Sequence, residues 1–476
     1  VTTALGVDLY QLTSLVPHAE AGLLEAPVVF DFFSRRLPMR EDPSHGPARP
    51  FLLQSMLGRS LETLSSLRFS PSDLAALDDH PLLGPALLSP AGRQLRDSLE
   101  RWRFEGEIRA PLDGSLLLSG PTLDTAGRPV EFNRVRPSAY VPYLSVKCSL
   151  LSAKLIETPL LSLINHGTMV ATKAALVAAA ARHQGRGVLE FGTRRVHPDA
   201  AVDAARAAYL AGCSGTSNVE AWRRFGVPCV GTMDHFAVQA WERSDLAVAD
   251  TERAFFAALH RSYPGQDIHL VDTYDPFGAD TGIRAAVAAT DGKLAGIRLD
   301  SNVDLGSIAA ARGLLDSLGA HPAKIVVSSG LDEVGITALA KAPVDLYGVG
   351  ERIVCSPDAP TGVGAVAKLS EIGGKPTMKL SRGSDKASLP GRLQAWRTPD
   401  DRIHVGLADE TPPPDGEPLL QRVWSGRAPS TDRPEAVSRV ALEEARQRAV
   451  QAIDHERPTG LALTASLIEL IRRLDG

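Results

Sequence analysis

The sequence predicts an α/β fold, a β/α barrel joined to a smaller α+β unit, and three observations carry that prediction. From Leu150 onward, short β-branched or apolar runs alternate with Ala-rich helical stretches, the signature of a parallel sheet wound by helices. These units fill roughly 200 residues, a density that suits a barrel better than an open sheet. Before Leu150 the texture is mixed, with a β-rich V-V-F-D-F-F at Val28–Phe33 and no regular alternation.

Taken in order, Asp8 to His18 has helical spacing, Val28 to Phe33 reads as a strand, and residues 40–50 form a Pro/Gly/charged loop. Gly106 and Gly114 punctuate a hairpin-like β region. Residues 121–146 carry proline, glycine and scattered charge without periodicity, so this segment is expected to be a long insertion or mobile loop. A long Leu/Ala-rich helix is predicted over 150–181. Predicted strands follow at 187–191, 228–231, 268–271, 294–299, 324–328 and 346–349, with helices at 200–211, 250–261, 283–290, 305–318 and 332–341. After Met378 the chain returns to strand and loop texture, with a Pro-rich patch at 411–418, and closes in predicted helices at 434–455 and 461–474.

Composition narrows the function. With 476 residues, 44% hydrophobic and 22% charged, the chain can bury a large core in at least two domains. A net charge of −5 without a Lys/Arg-rich block argues against nucleic acid as a partner. Cys148, Cys213, Cys229 and Cys355 are widely spaced, with no C-x-x-C pair, so neither a zinc knuckle nor a disulfide framework is expected. No basic leader is visible and no uninterrupted apolar stretch reads as long enough to cross a bilayer; a cytoplasmic protein without a membrane partner is expected.

In barrels, chemistry sits where strands end, and each predicted strand here delivers a polar or glycine cluster at that end. Arg194 and Arg195 follow the first, Thr232 and His235 the second, and Asp272 to Asp275 the third. Asp300, Ser301 and Asp304 follow the fourth, Ser329, Gly330 and Asp332 the fifth, and Gly350 the last. Two late glycine turns suit a phosphate grip, whose backbone N–H groups hold the anion. Asp272, Asp275, Asp300 and Asp304 suit ribose hydroxyls or a magnesium ion carrying pyrophosphate; for Asp272 and Asp275 a turn or N-cap role is equally open. The paired arginines suit a carboxylate, although one of them is expected in an ordinary salt bridge. No side-chain set is assigned as metal ligands.

An ordered series of motifs then stands out. It comprises D-L-Y-Q-L-T at Asp8–Thr13, I-E-T-P-L-L-S-L-I-N-H at Ile156–His166, E-F-G-T-R-R at Glu190–Arg195, G-T-S-N at Gly215–Asn218 and G-T-M-D-H at Gly231–His235. V-D-T-Y-D at Val271–Asp275, I-R-L-D-S at Ile297–Ser301, S-S-G-L-D at Ser328–Asp332, Y-G-V-G at Tyr347–Gly350 and L-P-G-R at Leu389–Arg392 continue it. In this series the chain resembles the nicotinate phosphoribosyltransferase family nearly end to end. The resemblance implies an irregular β/α barrel of the type II phosphoribosyltransferase kind over 151–377. It further implies that segments 1–150 and 378–476 pack into one smaller α+β domain.

It also implies a reaction of nicotinate, or a related heterocyclic acid, with phosphoribosyl pyrophosphate. Magnesium is implied as cofactor, and ATP hydrolysis through a phosphorylated histidine as a coupled step. By the same resemblance His235 matches that histidine, and Tyr10 the ring that stacks on the pyridine in a site shared across a homodimer. Arg298, or Arg194 with Arg195, matches the anion contacts; Asp300 joins the catalytic set. Ser329, Gly330, Asp332, Gly348, Gly350 and Glu351 match the phosphate region.

The family pattern is not followed everywhere. D-S-N-V-D at Asp300–Asp304 stands for D-S-G-D, so Asn302 and Val303 replace one glycine. Glu351 stands where a hydroxyl would meet a phosphate, and Asp234 where a small residue precedes the histidine. Arg35 and Arg36 remain as anion contacts in a region that otherwise differs. A carboxylate facing a phosphate dianion is unfavourable. Hence two alternatives stand beside the first reading: a divergent transferase or glycosidic-bond enzyme with another acid or sugar donor, and a non-catalytic ligand-binding paralogue.

Overall fold

The computed structural model describes residues 3–39, 48–231, 233–242, 247–358, 362–381, 384–427 and 438–476. Two compact units emerge, Val1–Thr172 with Asp358–Gly476, and Lys173–Pro357. The passage from the first to the second falls inside the 33-residue helix Leu150–Arg182, not at its start, where the composition changes. By length and composition that helix could cross a membrane, although Lys154, Glu157 and Lys173 interrupt its apolar run. However, 61% of its most apolar stretch is buried within the protein, as in the core helix of a folded domain.

The unit that joins both ends of the chain is built on a six-stranded antiparallel sheet. Its order is Lys375–Pro376, Ala365–Ile372, Pro27–Ser34, Leu144–Ser149, Glu105–Ala110, Gln421–Arg427. The predicted loop 121–146 is therefore wrong at its C-terminal end, because Leu144–Ser149 is an inner strand bonded to Pro27–Ser34 and Glu105–Ala110. Its Leu144, Ser145, Val146 and Cys148 are buried and only Lys147 is exposed, as suits an inner strand, a signal that the prolines upstream conceal. Tyr140, just before it, stacks on Phe33 with centroids 3.6 Å apart.

A four-stranded sheet, in the order Glu417–Pro418, Leu393–Arg397, Arg402–Leu407, Gly460–Leu463, completes this unit. Its last pair is parallel, which requires a crossover, and helix Arg439–His455 lies in that connection. The predicted C-terminal helix 461–474 is thus corrected. Leu461 to Leu463 form a buried strand, and the helix begins at Ala465, capped by the Thr464 hydroxyl. No disulfide joins the four cysteines.

The unit Lys173–Pro357 contains the alternating β/α chain. Its sheet is wholly parallel, in the order Ile268–Leu270, Gly296–Leu299, Lys324–Ser328, Leu346–Val349, Gly187–Glu190, Gly215–Thr216. Ile325, Val326 and Val327 are all buried, as expected for a strand covered on both faces. The predicted strand 228–231 reduces to a single bridge from Cys229 to Thr216. Pro228 has no N–H for a ladder and contributes only its carbonyl, which accepts from Thr216 N at 2.9 Å. The residues that do pair, Gly215 and Thr216, lie earlier.

Candidate active site

Register sets the site within the parallel sheet. Leu270 pairs with Arg298, Leu299 with Val327, Ser328 with Gly348, and Val349 with Glu190, which in turn pairs with Thr216. The carboxyl ends of the strands therefore stop nearly level. The residues at and just beyond them share one edge, where open and closed parallel sheets alike bind ligands.

Asp300 is the hub of that edge. Its Oδ1 accepts from Ser328 Oγ at 2.7 Å, and its Oδ2 lies 4.0 Å from His235 Nε2. The other ring nitrogen of His235, Nδ1, is 3.1 Å from Thr273 Oγ1. His235 opens the helix His235–Gln239, and Asp234 caps it by accepting from Ala237 N at 2.8 Å. The unusual carboxylate before the histidine thus has a backbone role.

Asp272, expected at the substrate, is used by the backbone. Its Oδ2 accepts from both Asp300 N and Ser301 N, each at 2.7 Å, which fixes the turn after Gly296–Leu299. In that turn Asn302 sits at φ +50, the left-handed region that glycine enters freely and asparagine tolerates better than other residues. Asn302 therefore adopts a backbone conformation that glycine also enters. Asp304 and Asp332 cap helices Leu305–Ser317 and Glu333–Ala338, and Asp275 accepts from Phe277 N at 2.9 Å. Hydrogen bonds to its carboxylate, that from Ser307 N foremost, hold Asp304 below the usual acidity range.

Arg298, at the end of its strand, donates to Met233 O at 3.2 Å and leaves Nε without a partner. Burial lowers its pKa, the charges of Asp300 and Asp272 oppose that shift, and Arg194 adds to it; a guanidinium stays cationic regardless. Arg194 is exposed, while Arg195 pairs with Glu351 at 3.5 Å. Glu351 thus has a cation beside it instead of standing alone at a phosphate position, and Arg195 is the member of the pair engaged in an ordinary ion pair.

The two late glycine turns differ. Ser329 and Gly330 form an exposed turn with Gly330 at φ +58 and open space around it. A Cβ on Gly348 would instead meet the Phe191 ring at 2.5 Å, and one on Gly350 would meet Phe191 O at 2.9 Å. Gly348 is therefore explained by packing. Gly348→Ala is expected to destabilise the protein by about 1–3 kcal/mol through overpacking, read as a lower urea midpoint; an unchanged midpoint would return Gly348 to the ligand.

Sequence reasoning passed over Glu190. Its carboxylate is buried, accepts from Thr216 Oγ1 at 2.6 Å and from Gly192 N, and burial raises its pKa against those two bonds. It ties two strand ends together, and its place at the head of E-F-G-T-R-R was the available signal. Ser328 and Thr273 were likewise missed, because their roles appear only as partners of Asp300 and His235. Thr232 lies outside the described residues. Tyr10 belongs to the other unit, where the residue is 54% exposed and Lys154 Nζ lies 5.4 Å from its ring centroid. Arg35 and Arg36 are in that unit too, Arg35 half-buried and Arg36 exposed.

The nicotinate phosphoribosyltransferase (NAPRTase) family model matches residues 187–403. A nicotinate phosphoribosyltransferase of Mycobacterium tuberculosis is 38% identical over 413 residues, covering 86% of this chain and 81% of its own length. That of Bacillus subtilis is 34% identical over 419 residues, covering 85% and 75%. The crystal structure of human nicotinic acid phosphoribosyltransferase superposes with a TM-score of 0.73 at 26% identity, over 98% of this chain and 99% of that one. With the motifs of its second unit lined along one strand edge and relatives matching over most of its length, the chain belongs to the nicotinate phosphoribosyltransferase family.

Proposed function

We propose that this chain transfers the phosphoribosyl group of phosphoribosyl pyrophosphate to nicotinate, giving nicotinate mononucleotide and pyrophosphate. The observation that carries this reading is the convergence of Arg298, Asp300 and His235 at one strand edge in a chain of this family. Displacement at the anomeric carbon passes through an oxocarbenium-like state with little bonding to either partner, so the protein mainly aligns the two and stabilises charge. In this scheme Arg298, with Arg194, holds the nicotinate carboxylate, and Asp300 with Ser301 faces the ribose. The turn Ser329–Gly330 presents backbone to the 5′-phosphate. Asp272, Asp304 and Asp332 support these groups through the backbone.

Among the described residues no three His, Cys, Asp or Glu side chains form a group that could hold a metal ion by themselves, whereas magnesium needs only one or two carboxylates beside the phosphates it carries. Magnesium enters the proposal as the companion of the donor's pyrophosphate. ATP coupling is assigned to His235, and a homodimer would bring Tyr10 of one copy to the ring bound by the other. A cytoplasmic setting fits the acidic net charge and the absence of disulfides. The barrel reading is supported by two contacts past the sheet's edges: the bridge from Thr216 to Cys229, and Leu270 N donating to the Met233 sulfur at 3.2 Å. The case for a different sugar donor weakens, since Asn302 adopts a glycine-like backbone and Glu351 has Arg195 beside it.

The test is pyrophosphate release with phosphoribosyl pyrophosphate, magnesium and each of nicotinate, nicotinamide and quinolinate. Release with nicotinate is expected; release with quinolinate alone, or with no acceptor, overturns the reading. Glu351→Thr removes a negative charge and frees Arg195. It is expected to lower KM for phosphoribosyl pyrophosphate by about fivefold, the factor that about 1 kcal/mol of surface electrostatics allows. An unchanged KM at low salt would place Glu351 beyond reach of the phosphates.

A further inference from the structure

We infer that Glu252, which lies outside every motif above, is a positioning residue that holds the His235–Asp300 constellation in place, and that it works as a neutral acid. Its kinetic readout rests on the phosphoribosyl-transfer reading; its structural readout does not.

Glu252 lies on the helix Val248–Ser262 and is fully buried. Its Oε2 accepts from Gly282 N at 2.6 Å. Gly282 opens the helix Gly282–Ala289 at φ +56, where a Cβ would meet the backbone of Pro276 and Asp275 at 2.5 and 2.6 Å. Thr281 Oγ1 donates to Asp275 O at 2.8 Å and Ile283 N to Pro276 O at 3.1 Å, so the loop 272–282 closes on itself. Glu252 pins its far end. Its near end supplies Asp272, which clamps Asp300 and Ser301, and Thr273, which meets His235. One buried carboxyl thereby anchors the loop that aims both groups.

The protonation state follows from unpartnered atoms. Glu252 Oε1 and Asp272 Oδ1 are both buried without a hydrogen-bond partner. With both groups ionised their charges repel, whereas a proton on Glu252 removes that repulsion and the cost of burying a second charge. Burial pushes the Glu252 carboxyl up to about 7, the Gly282 N–H opposing and the Asp272 charge adding. Among the described residues the titratable groups that bear on Glu252 are Asp272 and Tyr274, the latter donating to Glu242. Because the folded state binds this proton more tightly than the unfolded chain, its contribution to stability is fully present below the ordinary glutamate range. That contribution falls as pH rises to about 7 and is flat beyond.

Glu252→Gln keeps an acceptor for Gly282 and cannot ionise beside Asp272. Glu252→Ala is expected to lower kcat by about 10- to 100-fold through displacement of the loop, with KM for nicotinate little changed, and Glu252→Gln to rescue most of it at pH 6.5. The alkaline decline of wild-type kcat should move upward in Glu252→Gln. Independently of substrate, the fall in Tm between pH 4.5 and 7 should be smaller in Glu252→Gln than in wild type. Asp31, also fully buried and pushed up to about 7, contributes equally to both. A wild type that releases no pyrophosphate overturns the functional reading and leaves the Tm comparison to decide. An active wild type whose pH profile and Tm slope are both shared by Glu252→Gln overturns this inference.

Discussion

Asp300→Asn is expected to lower kcat/KM by about 10²- to 10³-fold, the loss typical of removing one preorganised electrostatic group from a transition state. Asparagine fills the same volume and its carbonyl can still accept from Ser328 Oγ, which lies 2.7 Å from the native oxygen. The turn is held by backbone N–H groups bonded to Asp272, so it does not depend on the Asp300 side chain. What disappears is the negative charge beside His235 and Arg298, which in the proposed scheme faces the ribose as positive charge develops on it. The check is steady-state kinetics beside a thermal melt. A Tm within about 2 °C of wild type together with the kinetic loss supports the role, whereas nearly full activity would remove Asp300 from the catalytic set.

His235→Ala is expected to abolish ATP coupling, with kcat in the presence of ATP falling by about 10²-fold, at the lower end of what a positioned proton- or group-transfer side chain supplies. The ring is addressed on both sides, by Thr273 at Nδ1 and by Asp300 near Nε2, so each nitrogen has a defined neighbour. Such a ring can accept a phosphoryl group at one nitrogen while the other stays hydrogen-bonded. Incubation with ATP labelled at the γ-phosphate should label wild type and leave His235→Ala unlabelled. Label retained in the variant would move the phosphorylated group elsewhere, and equal turnover of both proteins with and without ATP would remove the coupling altogether.

Much of this arrangement could be read in the residues because local chemistry fixed it. Lys324–Ser328 and Leu346–Val349 form strands at their predicted bounds, since buried runs ended by Ser-Gly or Gly-Glu leave little freedom. Asp300 could be nominated because it follows a strand, His235 because it follows a run that reads as one though only a bridge remains, and Arg298 through the resemblance of its motif. Roles that depend on distant partners could not. That Asp272 serves backbone N–H groups 28 and 29 residues away, or that Glu252 bonds Gly282 30 residues on, leaves no periodic trace. Strands beside prolines were misjudged for the opposite reason. Leu144–Ser149 was hidden by the irregular chain before it, and Val227, Cys229 and Val230 lent a strand-like look to residues that supply one bridge.

The strand order of the first unit also dictates when it can be finished. Pro27–Ser34 pairs on one side with Ala365–Ile372, and Glu105–Ala110 pairs with Gln421–Arg427, so both bonds wait for chain made more than 300 residues later. The parallel sheet between residues 187 and 349 is contiguous and complete in sequence before either of them, narrowly before Ala365 and by a longer margin before Gln421. During synthesis the inserted unit therefore has all its strands while Pro27–Ser34 still shows an open edge. Such an edge is a hazard for aggregation, and long loop closure slows its repair. The first unit to begin translation is thus the last to become native, and variants that slow its closure should lower soluble yield before they touch the chemistry.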